Sequence, residues 1–165
     1  MKMKKILMKY REIARYVNPE IKVQKDSEWL SYVDLKTIGI PQMVTEQGEQ
    51  EFLDSVKKQL PQDKKDLINI IPDFMWSFLH ELGHIEKEKY YFDTPQRTIA
   101  NFLCKHGLEC IGNIIYFNLK EERKATEWAI KYALKNTQVV IKFSYELDKT
   151  YRRYYKTLGL QEIEG

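Results

Sequence analysis

A chain of 165 residues, 43% hydrophobic and 31% charged, has the make-up of a globular domain with a buried core rather than of a disordered tail. Its 27 basic and 24 acidic residues leave a formal net charge of +3, which gives no reason to expect direct nucleic-acid binding. The apolar stretch Ile6–Met8 is too short for a signal peptide, and no segment approaches the ~18 apolar residues of a membrane span, so a cytoplasmic protein with no membrane partner is expected.

No internal repeat, low-complexity tract or flexible linker interrupts the chain, and residues 1–165 are read as one domain. Ile6, Tyr10, Ile13, Ala14 and Val17 recur at helical spacing and predict a first helix that ends before Pro19. Ile21 and Val23 alternate with charged residues, and Trp29 to Ile40 is rich in β-branched and aromatic types. Two or three short strands are expected there, closed by Gly39, Ile40 and Pro41. A loop centred on Gly48 leads to a helix with the stripe Phe52, Val56 and Leu60, stopped by Pro61. Leu67, Ile68, Ile70 and Ile71 predict a short helix or turn before Pro72.

Asp73 is then the expected N-cap of a helix that carries Met75, Phe78, Leu79, Leu82 and Ile85 inward. Thr94 and Pro95 open a further helix, which Gly107 ends. Ile111 to Phe117 suits either helix or strand. Asn118 and Glu121 have the spacing of a capping box for a helix reaching Lys135 or Asn136. Last, Phe143, Leu147, Tyr151, Tyr154 and Leu158 share one helical face, with Gly159 as the stop. The basic clusters Lys2–Lys5 and Arg152–Arg153 read as solvated helix faces, and Cys104 and Cys110 as reduced thiols. The pattern as a whole is α+β, mostly helical, with a small N-terminal β-sheet.

One stretch carries chemistry. His80-Glu81-Leu82-Gly83-His84 is an HExxH motif inside an amphipathic helix. Histidines four residues apart project from one face, so both imidazoles can reach a single zinc ion at about 2.0–2.1 Å. Glu81 stands between them, placed to accept a proton from a water molecule that the metal activates. Such hydrolases use three protein ligands, and two residues downstream are candidates for the third. Glu122 shares a helical face with Ala125 and Ala129, whose small side chains let that helix approach the HExxH helix closely. His106, followed by Gly107, is the other candidate; beside the metal it could instead stabilise an oxyanion, or it is a satisfied helix-end histidine. Cys104, His106 and Cys110 lack a fourth ligand for a second metal site.

The pairing of HELGH at residues 80–84 with Glu122-x-x-Ala125-x-x-Trp128-Ala129 resembles the ImmA/IrrE metallopeptidases, which join an HELGH-type helix to a later ExxAxxFA-type helix. Trp128 replaces the family's phenylalanine, and the 38 residues from His84 to Glu122 exceed the usual spacing. The resemblance implies a zincin-like metallopeptidase domain with Zn2+ held by His80, His84 and Glu122, and Glu81 as the catalytic residue. It also implies an intracellular endopeptidase that cuts a helix-turn-helix transcriptional repressor, as an anti-repressor protease of a phage, mobile element or stress response. His106 has its own parallel in the SprT-like proteins, where a distal histidine followed by glycine completes the site, although their cysteine-rich zinc ribbon is absent here. Ser31 to Ile40 is the candidate edge strand for holding extended substrate, and Tyr90, Tyr91 and Tyr132 the candidate cleft aromatics. The competing readings are a non-hydrolytic binding or toxin–antitoxin-like protein on the same scaffold, and a broad-specificity peptidase.

Overall fold

The computed structural model describes residues 3–42, 50–87 and 95–159, so the expectations placed on Lys2, Gly48, Tyr90, Tyr91 and Thr94 lie outside the described residues. Helix α1 (Lys4–Val17) buries Ile6, Tyr10, Ile13 and Ala14 of the stripe that its spacing predicts, and Val17 is partly buried at its end. Three short strands follow: β1 (Lys22–Asp26), β2 (Leu30–Tyr32) and β3 (Thr37–Pro41). Their order in the sheet is β1-β3-β2, with β3 parallel to β1 and antiparallel to β2.

This topology corrects two expectations. Gly39, Ile40 and Pro41 do not close the strands; they belong to β3, all five residues of which are buried. Central strands buried on both faces read as continuous apolar runs, so the Gly-Pro punctuation misleads here. Because β3 is paired on both sides, only Ser31 and Tyr32 of the segment 31–40 lie on an edge, in β2.

The remaining helices are α2 (Gln50–Gln59), α3 (Leu67–Ile70), α4 (Asp73–Lys87), α5 (Pro95–Lys105), α6 (Glu109–Phe117), α7 (Lys120–Lys135) and α8 (Thr137–Thr157). The stretch that suited helix or strand is therefore helical. Gly107 and Gly159 take positive φ values of 80° and 71° just past α5 and α8, the conformation that lets a glycine end a helix. The expected capping box does not form. Leu119 precedes the first turn of α7 without a side-chain cap, while Asn118 Nδ2 donates back to the Ile114 carbonyl at 2.6 Å and finishes α6. Glu121 is turned instead toward Arg97, as described below. Among the described residues, no helix is long and apolar enough to cross a membrane.

Helix α4 lies at the centre. The sheet covers it through β2 and β3, and α7 packs along it more extensively than any other element. Ten of its fifteen residues are buried, including Met75, Trp76, Phe78, Leu79 and Leu82. Helix α1 packs against α8, where Lys9 and Glu146 pair at 2.7 Å and the buried Tyr10 and Tyr151 hydroxyls meet at 3.0 Å, and both helices meet α4 through Tyr10 on Phe78 and Tyr151 on Phe74. What sets the distance between α4 and α7 is Gly83. A Cβ there would come within 2.4 Å of the Ala125 carbonyl oxygen and 2.9 Å of Ala125 Cα. Both partners at this crossing are backbone, so the added methyl has no flexible neighbour to displace. Gly83→Ala is expected to destabilise the protein by about 1–3 kcal/mol through overpacking, although alanine favours helix, and chemical denaturation measures the loss.

Candidate metal centre

The close crossing of α4 and α7 brings the two sequence motifs together. His80 and His84, one turn apart on α4, present their rings to α7, edge to face with centroids 4.7 Å apart. Glu122 stands in the first turn of α7, where the helix dipole favours a carboxylate, yet none of it is exposed. Its Oε2 lies 2.9 Å from His80 Nε2 and 3.1 Å from His84 Nε2, and the two Nε2 atoms are 3.1 Å apart. His80, His84 and Glu122 are the group among the described residues that could hold a metal ion.

The donor geometry fits a cation. Ligands at 2.0–2.1 Å around a tetrahedral zinc ion lie about 3.3 Å from one another, a few tenths of an ångström more than this triangle. His80 Nδ1 is 3.0 Å from Thr126 Oγ1. With the Nδ1 proton donated to that hydroxyl, Nε2 offers a lone pair toward the Glu122 oxygen, an arrangement that is repulsive until a positive charge lies between them. The surrounding charges agree, since one guanidinium faces two carboxylates and the imidazoles are neutral when they ligate.

That guanidinium belongs to Arg97 of α5, which is 5% exposed. Its Nη2 donates to Glu122 Oε1 and to Glu121 Oε1, each at 2.9 Å, and its Nη1 to the Tyr116 hydroxyl at 3.2 Å. Its charged carbon also sits 5.0 Å above the Tyr116 ring. Phe52 of α2 packs edge-on against His80 at 5.1 Å, and Phe117 of α6 closes over both. Burial by itself would raise the Glu122 carboxyl. The hydrogen bonds and charge of His80 and His84 outweigh it and hold the group far below the usual carboxylate range.

The candidate residues divide cleanly. His80, His84 and Glu122 converge, and Glu81 is half-buried beside them on α4. His106 does not join them. It follows the last turn of α5, about 13 Å along the helix axis from Arg97, with its ring stacked on Phe102 at 4.0 Å and Nδ1 2.8 Å from the Phe102 carbonyl. It is the satisfied helix-end histidine. Cys104 Sγ faces Asn113 Oδ1 at 3.5 Å while Cys110 contacts Glu51, so these residues do not form a cluster with it. Tyr132 stacks on Trp128 roughly 15 Å along α7 from Glu122, too far to line the site. Sequence reasoning missed Thr126 and Arg97. Thr126 had a signal, one turn after Glu122 on the same face; Arg97 had none, because its partners lie 19 to 25 residues away.

No family model, curated protein or solved structure matches the chain.

Two outcomes are expected in solution. One equivalent of zinc should raise the unfolding free energy by about 2.7 kcal/mol at a free concentration of 100 Kd, and Glu122→Ala should abolish that gain, as read by thermal melts with and without metal. Zinc must compete with protons for its ligands, so its affinity falls as pH is lowered. In the metal-free protein the sign is set by Glu122. Its depressed value contributes stability above the ordinary 4.5, which declines as pH drops below that point.

Proposed function

We propose that the chain is a zinc-dependent endopeptidase in which His80, His84 and Glu122 hold the metal and Glu81 is the general base. The observation that carries this reading is the meeting of His80 Nε2, His84 Nε2 and Glu122 Oε2 within 3.1 Å of one another, from two helices locked together at Gly83. Three nitrogen and oxygen donors, two from imidazole and one from a carboxylate, suit zinc and match the two-histidine, one-glutamate set of zinc hydrolases. Zinc held there supplies Lewis acidity toward a water molecule and toward the carbonyl of the bond to be cut.

The other steps belong to the chain. Glu81 follows His80 directly, and it is half-buried where the three ligating residues are at most 4% exposed. It is the residue of the motif's three chemical groups that keeps exposed surface, as a base that meets water requires. It takes the proton of the attacking water and delivers it to the departing amine. Thr126 Oγ1 lies 3.0 Å from His80 Nδ1 and can accept its proton, the tautomer in which Nε2 keeps its lone pair for the ion. Edge strand β2, packed against α4, offers free backbone groups to an extended substrate.

The ImmA/IrrE resemblance, carried by residues 80–84 and 122–129, gives the substrate class: a helix-turn-helix repressor, cut at one site in the cytoplasm. The burial of the ligands favours one other reading, in which the ion only clamps α4 to α7 and the protein binds a partner without cutting it.

Glu81→Gln separates them. On the peptidase reading it retains one equivalent of zinc, while cleavage of helix-turn-helix repressors encoded by neighbouring genes falls about 10²–10⁴-fold, measured by mass spectrometry of new N-termini. A variant that cuts as fast as the parent overturns the role of Glu81. A zinc-loaded parent that binds a repressor and leaves it whole supports the clamp.

A further inference from the structure

The two oxygens of Glu122 face different partners. Oε2 meets the imidazoles, whereas Oε1 accepts from Arg97 Nη2 at 2.9 Å. Arg97 reaches this point from α5, a helix that contributes no ligand, and it is clamped there by Glu121 on one side and the Tyr116 hydroxyl and ring on the other. A guanidinium is planar and its donors are fixed in a fork, so one side chain can bridge neighbouring carboxylates in a set orientation. A carboxylate left to itself can bind a metal through one oxygen or both.

We infer that Arg97 is a positioning residue that reserves Oε1 of Glu122, so that the carboxylate ligates through Oε2 alone and one coordination position stays open for water. This rests on the metal reading above and adds to it how the ligand count is set. Zinc sites of the catalytic kind need three protein donors and a vacancy, and a second carboxylate oxygen would fill the vacancy. Arg97 also keeps the carboxylate from rotating about its last torsion, which two imidazole contacts on one oxygen leave free. A partner in the outer layer of a metal site typically changes metal affinity by about 10–100-fold when removed.

Cobalt(II) substituted for zinc reports the coordination number directly, because four-coordinate cobalt absorbs visible light several times more strongly than five-coordinate cobalt. The parent protein is expected to give the intense four-coordinate spectrum. In Arg97→Met the freed Oε1 joins the ion, so the absorption falls severalfold and affinity drops at least about 10-fold. Tyr116→Phe, which keeps the ring and removes one restraint on the guanidinium, should shift both readouts the same way but less, and it guards against an Arg97 variant that fails to fold. If the parent gives the four-coordinate spectrum and both variants match it in intensity and affinity, the inference is overturned while the metal centre stands. A parent that binds no cobalt overturns the metal reading, and this one with it.

Discussion

A carboxylate with no exposed surface governs the architecture around it. Moving an ion of that size out of water costs several kcal/mol even after relaxation, and the loss is offset only when its hydrogen-bonding positions are filled by good donors. Glu122 meets this condition with a guanidinium on one oxygen and, on the other, two imidazole nitrogens that carry a proton or share a cation with it. Each of those partners must be held by its own element, and this is why α4, α5 and α7 converge at one point. Phe52 and Phe117 then exclude water, which strengthens every charge interaction inside.

The same constraint gives a role to the segment between His84 and Glu122. Residues between His84 and Glu122 build the α5–α6 hairpin, whose helices pack mainly on one another. It is more than a spacer, because Arg97 and Tyr116 both come from it. A hairpin that returns two side chains to the buried charge belongs with it.

What could be read from the residues divides by range. Helices with a full apolar stripe, such as α1 and α8, were legible because periodicity is a local signal that packing obeys. The two histidines were legible for the same reason, since four-residue spacing on one helix fixes their relation. Glu122 was legible as one of two candidates because Ala125 and Ala129 point to a close helix crossing, while the choice between it and His106 was not. Beyond that, local signals competed. Asn118 satisfies both the start of one helix and the end of another, and the Ile114 carbonyl won. Gly39 and Pro41 look like a turn, yet β3 needs the glycine because a Cβ there would sit 2.7 Å from Asp26 Cβ. Arg97 was invisible because a buried arginine is defined by its partners, and these lie on two other helices.

Close approach of the backbones at Gly83 and Ala125 has one more consequence, which concerns the size of ion that the His80, His84 and Glu122 group could hold. Gly83 adjoins His84, and Ala125 is one turn from Glu122, so the gap between imidazole and carboxylate is set by main chain. Side-chain rotation cannot widen it much. Calcium, which needs six to eight oxygens at about 2.3–2.6 Å, would have to pry two packed helices apart to enter. For any ion held by His80, His84 and Glu122, the spacing of two small residues would disfavour large, hard cations independently of the chemistry of the donors.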